Sequence, residues 1–282
     1  MIRLFLEVTK FRLSAAVTLS AVLTFILVRG ENVMQMVWSV LAVLLLALGV
    51  SALNQYQERE SDAKMARTKR RPIPSGRITP SNVLLLSIVL IVVAMLLIHS
   101  ELGNSGLILF LFVPLWYNGL YTYLKPHSAF TVVPGGLLGV IPPAIGWLAA
   151  GRSLAEPEFL ALGLLFFIWQ VPHFWLLMAK HDEDYRKGGF PTASEVLGDE
   201  AFRRVLFVWW TFTLLCGIFA MLIFGIHNPI VIALLVGLDL TAVFFGTKIL
   251  SEPLTPSRAG ALFHKINFFL LATVILLSID GV

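Results

Sequence analysis

The sequence predicts an all-α, polytopic membrane protein with nine transmembrane helices. Three observations carry this. Of 282 residues, 57% are hydrophobic and 13% charged, about half the ~25% charged share of a soluble domain. Apolar runs long enough to span recur near 12–29, 33–53, 81–99, 105–123, 132–150, 158–179, 204–225, 229–250 and 262–280; roughly 20 residues rising about 1.5 Å each cross a hydrocarbon core about 30 Å thick. Lys and Arg collect in alternate connecting segments.

The first run follows Arg3, Lys10 and Arg12; it is long enough to span and shows no small-x-small cleavage site, so it reads as a helix and not as a cleaved leader. The runs are continuously apolar, which favours helices over the alternating pattern of a barrel. The fifth carries Gly135-Gly136 and Pro142-Pro143 and is expected to be bent or closely packed. The sixth holds His173, about two turns from its polar end. The seventh holds Cys216, the only cysteine, which excludes an internal disulfide and argues against a cysteine metal centre. The chain reads as one unit, 1–282.

With the N-terminus inside, only Arg29 and Arg152 of the 21 Lys and Arg fall in outer segments, leaving 19 inside. This places the N-terminus in the cytoplasm. The net charge of +4 is then a topology signal and implies the lipid bilayer, not nucleic acid, as partner; residues 64–77 suit anionic headgroups.

Two inner segments are rich in functional groups. In 54–80, Asn54, Glu58 and Asp62 recur every four residues, so their oxygens share one helix face. Oxygen ligands of this kind suit Mg²⁺, which uses one or two carboxylates with substrate phosphates. Lys64, Arg67, Lys69, Arg70 and Arg71 follow, and guanidinium groups grip phosphate oxygens. Acids followed by cations suit a metal–diphosphate complex. A solvated, ion-paired helix end would carry the same residues, although Asn54 directly after an apolar run argues for function. In 180–200, Asp182, Glu183 and Asp184 lie on the same face of the membrane as Asp62 and could complete a metal site; a hydrated helix end is the plainer reading. His173 could ligate iron, orient a substrate or carry a proton, or simply bond a carbonyl. Trp116, Tyr117, Tyr121, Tyr123, Trp147, Trp169, Phe174 and Trp175 suit either interfacial belts or cation–π stabilisation of a carbocation.

These residues resemble the intramembrane prenyltransferase superfamily that includes 4-hydroxybenzoate polyprenyltransferase, and most closely its heme-farnesylating branch. The resemblance covers nearly the whole chain. It rests on Asn54 to Pro72, Tyr121-Thr-Tyr-Leu-Lys125, Gly135-Gly136 through Pro142-Pro143-x-x-Gly146-Trp147, and Pro172-His173-Phe174-Trp175 with Asp184-Tyr185. It implies nine helices around a central cavity open to lipid, in a bacterial cytoplasmic membrane. It implies Mg²⁺ as cofactor on Asn54, Glu58, Asp62 and Asp184, with Asp182 beside them. The substrate contacts it implies are Arg67, Lys69, Arg70, Arg71, Lys125 and Lys180 for diphosphate, and Tyr121, His173 and Trp175 for the organic groups. Glu58 stands where the superfamily commonly has Asp, Lys180 where it has the first Asp of a second motif, and Phe190-Pro-Thr-Ala-Ser where the heme branch has Pro-Met-Leu-Pro.

The implied substrates are farnesyl diphosphate and heme b, and the implied associates other heme-biosynthesis or oxidase-assembly proteins. An allylic C–O bond breaks, a vinyl carbon of the heme attacks the cation, and water quenches the result. Two alternatives stand beside this: another lipid-soluble aromatic acceptor such as a quinone precursor, and a transporter. The charged clusters at one face, and the odd number of spans, argue against the transporter.

Overall fold

The computed structural model describes residues 2–280, and among them every regular element is helical. A short α1 (Ile2–Val8) meets α2 (Phe11–Leu27) at 65°. Then come α3 (Val33–Gln57), the one-turn α4 (Arg59–Lys64) and α5 (Pro80–Pro114), which runs into a π-helix over Leu115–Tyr121. After a broken passage over Ala129–Thr131, Val132–Gly135 and Gly136–Val140 come α6 (Ile141–Ala149), α7 (Pro157–Lys180), α8 (Asp182–Lys187) and α9 (Ala193–Leu197). Three long helices close the fold: α10 (Asp199–Ile223), α11 (Pro229–Ser251) and α12 (Pro256–Asp280).

Local chemistry sets the helix starts. Pro80, Pro157 and Pro229 open their helices where a missing N–H costs nothing. Asn32 accepts from the Gln35 N–H at 3.1 Å, and Asn228 from the Ile230 N–H at 3.0 Å.

By length and apolarity, seven helices can cross a membrane singly, and the bent α1–α2 pair makes an eighth. The expectation of nine counted 81–99 and 105–123 as two spans; they lie within one helical run of 45 residues, Pro80–Leu124, that doubles back on itself. A straight run of that length would extend about 68 Å, over twice the hydrocarbon core. It reverses at Gly103, whose φ of 57° and ψ of −146° lie in a region open essentially to glycine. The contacts follow the reversal. Gln35, near the start of α3, donates to the Glu101 carbonyl at 2.8 Å, Gly49 lies against Leu90 and Ile91, and Asn118 returns to donate to the Val50 carbonyl at 3.3 Å.

The fifth run is both broken and closely packed, as its glycines and prolines require. A Cβ on Gly146 would lie 2.1 Å from the Ala21 carbonyl oxygen of α2, and one on Gly139 would lie 2.2 Å from Gln170 of α7. The main core gathers around Trp147, Trp175 and Trp210, each almost wholly buried, while residues such as Leu85, Leu96, Ile108, Leu222 and Leu240 turn outward, as a lipid-facing surface should.

Candidate active site

The site grows from the end of α3. Asn54, Glu58 and Asp62 lie on one face across the α3–α4 junction, and all three are buried. Each is held by a cation from elsewhere. Lys10 donates to Asn54 Oδ1 at 2.7 Å, Lys125 to Glu58 Oε1 at 3.1 Å, and Arg71 to both Asp62 oxygens at 2.8 and 2.6 Å. Asn54 Nδ2 also reaches the Thr122 hydroxyl at 3.5 Å, and Thr68 donates to the Asp62 carbonyl at 2.9 Å. Burial pushes the Glu58 carboxyl up, but Lys125 and Lys10 pull it further down, below its ordinary 4.5. Burial pushes Lys125 down, and Glu58 more than offsets this, so the ammonium is held above its ordinary 10.5.

The two polar segments meet here. Asp184 on α8 accepts from the backbone N–H of Ala66 at 3.0 Å and of Arg67 at 3.3 Å. Gly188 packs on Met65, with room for no Cβ: one there would lie 2.9 Å from the Met65 sulfur. Phe190 and Tyr185 lie under the Lys125 ammonium at 4.4 and 5.6 Å, and Tyr185 also faces the Arg67 guanidinium at 5.9 Å. Tyr121 stacks on Tyr117 at 5.8 Å, both on the π-helix, a distortion frequent at functional sites. A crevice of about 10 Å³ lies between Tyr121 and Gly135.

Other expected residues lie apart. Asp182 turns to Arg186 at 2.8 Å and accepts from Ser194 at 3.0 Å, away from Asp62. Lys69 and Arg70 are exposed. Trp175 is 1% exposed, donates to the Ala129 carbonyl at 3.2 Å and meets Phe130, Phe202 and Trp209 edge-on, packed in the core. Lys180 sits at the end of α7, its aliphatic stem 3.4 Å from where a Cβ on Gly260 would stand. His173 is half-buried; its Nδ1 lies 2.6 Å from Asn267 Oδ1, between the rings of Trp169 and Phe263 at 4.5 and 4.7 Å.

Sequence reasoning missed Lys10 as a site residue, and with it Gln57 and Asn118, which exchange hydrogen bonds at 2.9 Å across α3 and the π-helix. It also missed Asn267. For Asn118 and Asn267 the available signal was a polar residue inside an apolar run.

The donor set fits a hard cation: buried, all oxygen, with two carboxylates on one face. Among the described residues no three acidic, His or Cys side chains converge as a ready-made metal centre; the oxygens are instead paired with ammonium and guanidinium groups.

Residues 15–272 match the UbiA prenyltransferase family. A protoheme IX farnesyltransferase of Oleidesulfovibrio alaskensis is 31% identical over 281 residues, covering 99% of this chain and 97% of its own. Another, from Neorickettsia sennetsu, is 31% identical over 243 residues, 84% of this chain and 80% of the relative. Among solved structures, a digeranylgeranylglyceryl phosphate synthase superposes with a TM-score of 0.77 at 14% identity, over 99% of this chain and 98% of that one. A UbiA homolog from Archaeoglobus fulgidus bound to GPP and Mg²⁺ does so with 0.66 at 12% identity, over 98% and 99%; these two likenesses bear on the fold. With the near full-length relative and a family match over most of the chain, the protein is a member of the UbiA prenyltransferase family.

Proposed function

We propose that this enzyme transfers a farnesyl group from farnesyl diphosphate to a vinyl group of protoheme IX, with Mg²⁺ as cofactor. The acceptor rests on the full-length similarity to a protoheme IX farnesyltransferase. The donor chemistry rests on one observation: a buried cluster in which Asn54, Glu58 and Asp62 each face a cationic side chain and Asp184 ties in the second polar segment.

Lys10, Arg71 and Lys125 turn from their resting partners to the diphosphate oxygens, and Arg67 and Lys180 approach from the rim. Asn54, Glu58, Asp62 and Asp184 are the residues that would hold Mg²⁺. Bound there, the ion stabilises negative charge on the leaving diphosphate. The cations do the same, preorganised in a site with little water. The allylic C–O bond breaks with its electron pair leaving on diphosphate. A vinyl π pair forms the new C–C bond, and water adds to the resulting cation and loses a proton. Tyr117 and Tyr121 offer ring faces to the allylic cation. His173, seven residues and about 10 Å along α7 from Lys180, ligates the heme iron deeper in the membrane. The enzyme works as one catalytic unit in a bacterial cytoplasmic membrane, with the basic segments and N-terminus in the cytoplasm.

The test is to incubate purified protein with Mg²⁺, labelled farnesyl diphosphate and heme b, and to identify the product by mass spectrometry. A hydroxyethylfarnesyl heme is expected. A prenylated quinone precursor from a parallel incubation, with no heme product, would reassign the acceptor.

A further inference from the structure

His173 stands two turns inside the polar end of α7 with its ring clamped on three sides. Trp169 and Phe263 lie against it at 4.5 and 4.7 Å, and Phe174 meets it edge-on at 5.1 Å. Its only hydrogen bond among the described residues is from Nδ1 to Asn267 Oδ1, at 2.6 Å. Asn267 lies near the middle of the 25-residue α12, where a polar side chain is costly without a role. A second bond fixes the register: the Trp169 indole N–H donates to the Ile266 carbonyl at 3.1 Å, one residue from Asn267.

We propose that Asn267 is a positioning residue for heme. An amide oxygen can only accept, so Nδ1 carries the proton and the lone pair is left on Nε2, free for iron. Metal-ligating histidines commonly donate their second ring N–H to such an outer partner, which sets tautomer, orientation and basicity. The inference rests on the heme reading above and adds to it a residue on a second helix. Asn267 thereby couples α12 to the acceptor site, whereas the diphosphate cluster is built on α3, α4 and α8.

The test titrates ferric heme b into the full-length protein in detergent, following the Soret band, with the iron–histidine stretch of the reduced complex by resonance Raman. Farnesyl diphosphate affinity, by calorimetry, reports on folding. Asn267→Leu is expected to weaken heme binding about 10-fold or more, with farnesyl diphosphate affinity unchanged. Asn267→Asp, which keeps an oxygen acceptor and adds charge, is expected to retain heme and raise the stretching frequency. If Asn267→Leu does not fold, the frequency in Asn267→Asp decides. Wild-type heme affinity and frequency in the Asn267 variants, with the signature lost in His173→Ala, would overturn the proposal and leave the heme reading standing. A signature that survives His173→Ala would remove His173 as ligand, and the role of Asn267 with it.

Discussion

Asp62→Ala perturbs folding and chemistry at once, and the structure separates the two. The Asp62 side chain is fully buried and Arg71, its partner at 2.6 Å, is 21% exposed. Removing one member of a buried pair costs about 3–5 kcal/mol, mostly for the charge left behind. Arg71 can turn partly toward water, so about 3 kcal/mol, the low end, is expected. Arg71→Leu leaves the carboxylate stranded and should cost at least as much. The double variant strands nothing, so its loss should fall short of the sum of the singles by about 1–3 kcal/mol. Prenyl transfer should behave differently. Losing one electrostatic stabiliser of the leaving group lowers turnover about 10²–10³-fold, and removing Arg71 as well cannot restore it. Thermal unfolding in detergent reads the first cycle and product formation from labelled farnesyl diphosphate the second. Recovery of both stability and turnover in the double variant would mean that Asp62 serves only to neutralise Arg71, and both the metal assignment and the diphosphate contact of Arg71 would fall.

Three further outcomes are expected. Ser75→Cys, placed in a Cys216→Ser background, should react with an impermeant maleimide only after the cells are opened; labelling of intact cells would reverse the orientation. Gly146→Ala must part α2 and α6 by about 1 Å to restore normal contact and should cost about 1–3 kcal/mol, seen as a lower Tm; an unchanged Tm would contradict that packing. The Glu58–Lys125 pair should be insensitive to pH between about 5 and 10. The lowered Glu58 pKa contributes stability above its unfolded value of about 4.3, lost as pH falls through the folded value, and the raised Lys125 pKa contributes below about 10.4, lost as pH rises through it. The contribution of this pair should therefore be flat across that window, and Lys125→Met should move its acid limb to higher pH; an acid limb unmoved by Lys125→Met would deny the coupling.

Asn54, Glu58 and Asp62 share the buried face that their four-residue spacing predicts, because one helix face is a local property. The meeting of the two polar segments was legible too, from charge separation alone. Partner identity was not, since Lys10 and Asn54 are 44 residues apart and Glu58 and Lys125 are 67. Lys10 was read only as a topology charge. Near neighbours in a motif part company for a simple reason: two steps along a helix turn a side chain by about 200°. His173 and Trp175 therefore cannot face the same way, and neither can Asp182 and Asp184. Only the second member of that acidic pair reaches the 54–80 segment, and only the first member of the aromatic motif meets Asn267. The nine apolar runs were legible as hydropathy, and the gap between 81–99 and 105–123 already located the reversal; that a single residue, Gly103, makes it with helix on both sides was not legible.

That reversal bears on how the protein enters the membrane. Helix continues on both sides of Gly103 with no intervening loop, so the run offers no soluble connection that could be translocated by itself. The two halves are best delivered as a closed pair, bending before either is released to lipid. Every residue but glycine resists the backbone angles at the bend. A replacement at position 103 would act first on biogenesis: a chain that fails to double back there would carry the Asn118 face away from Gln57, and every later helix would be inserted upside down.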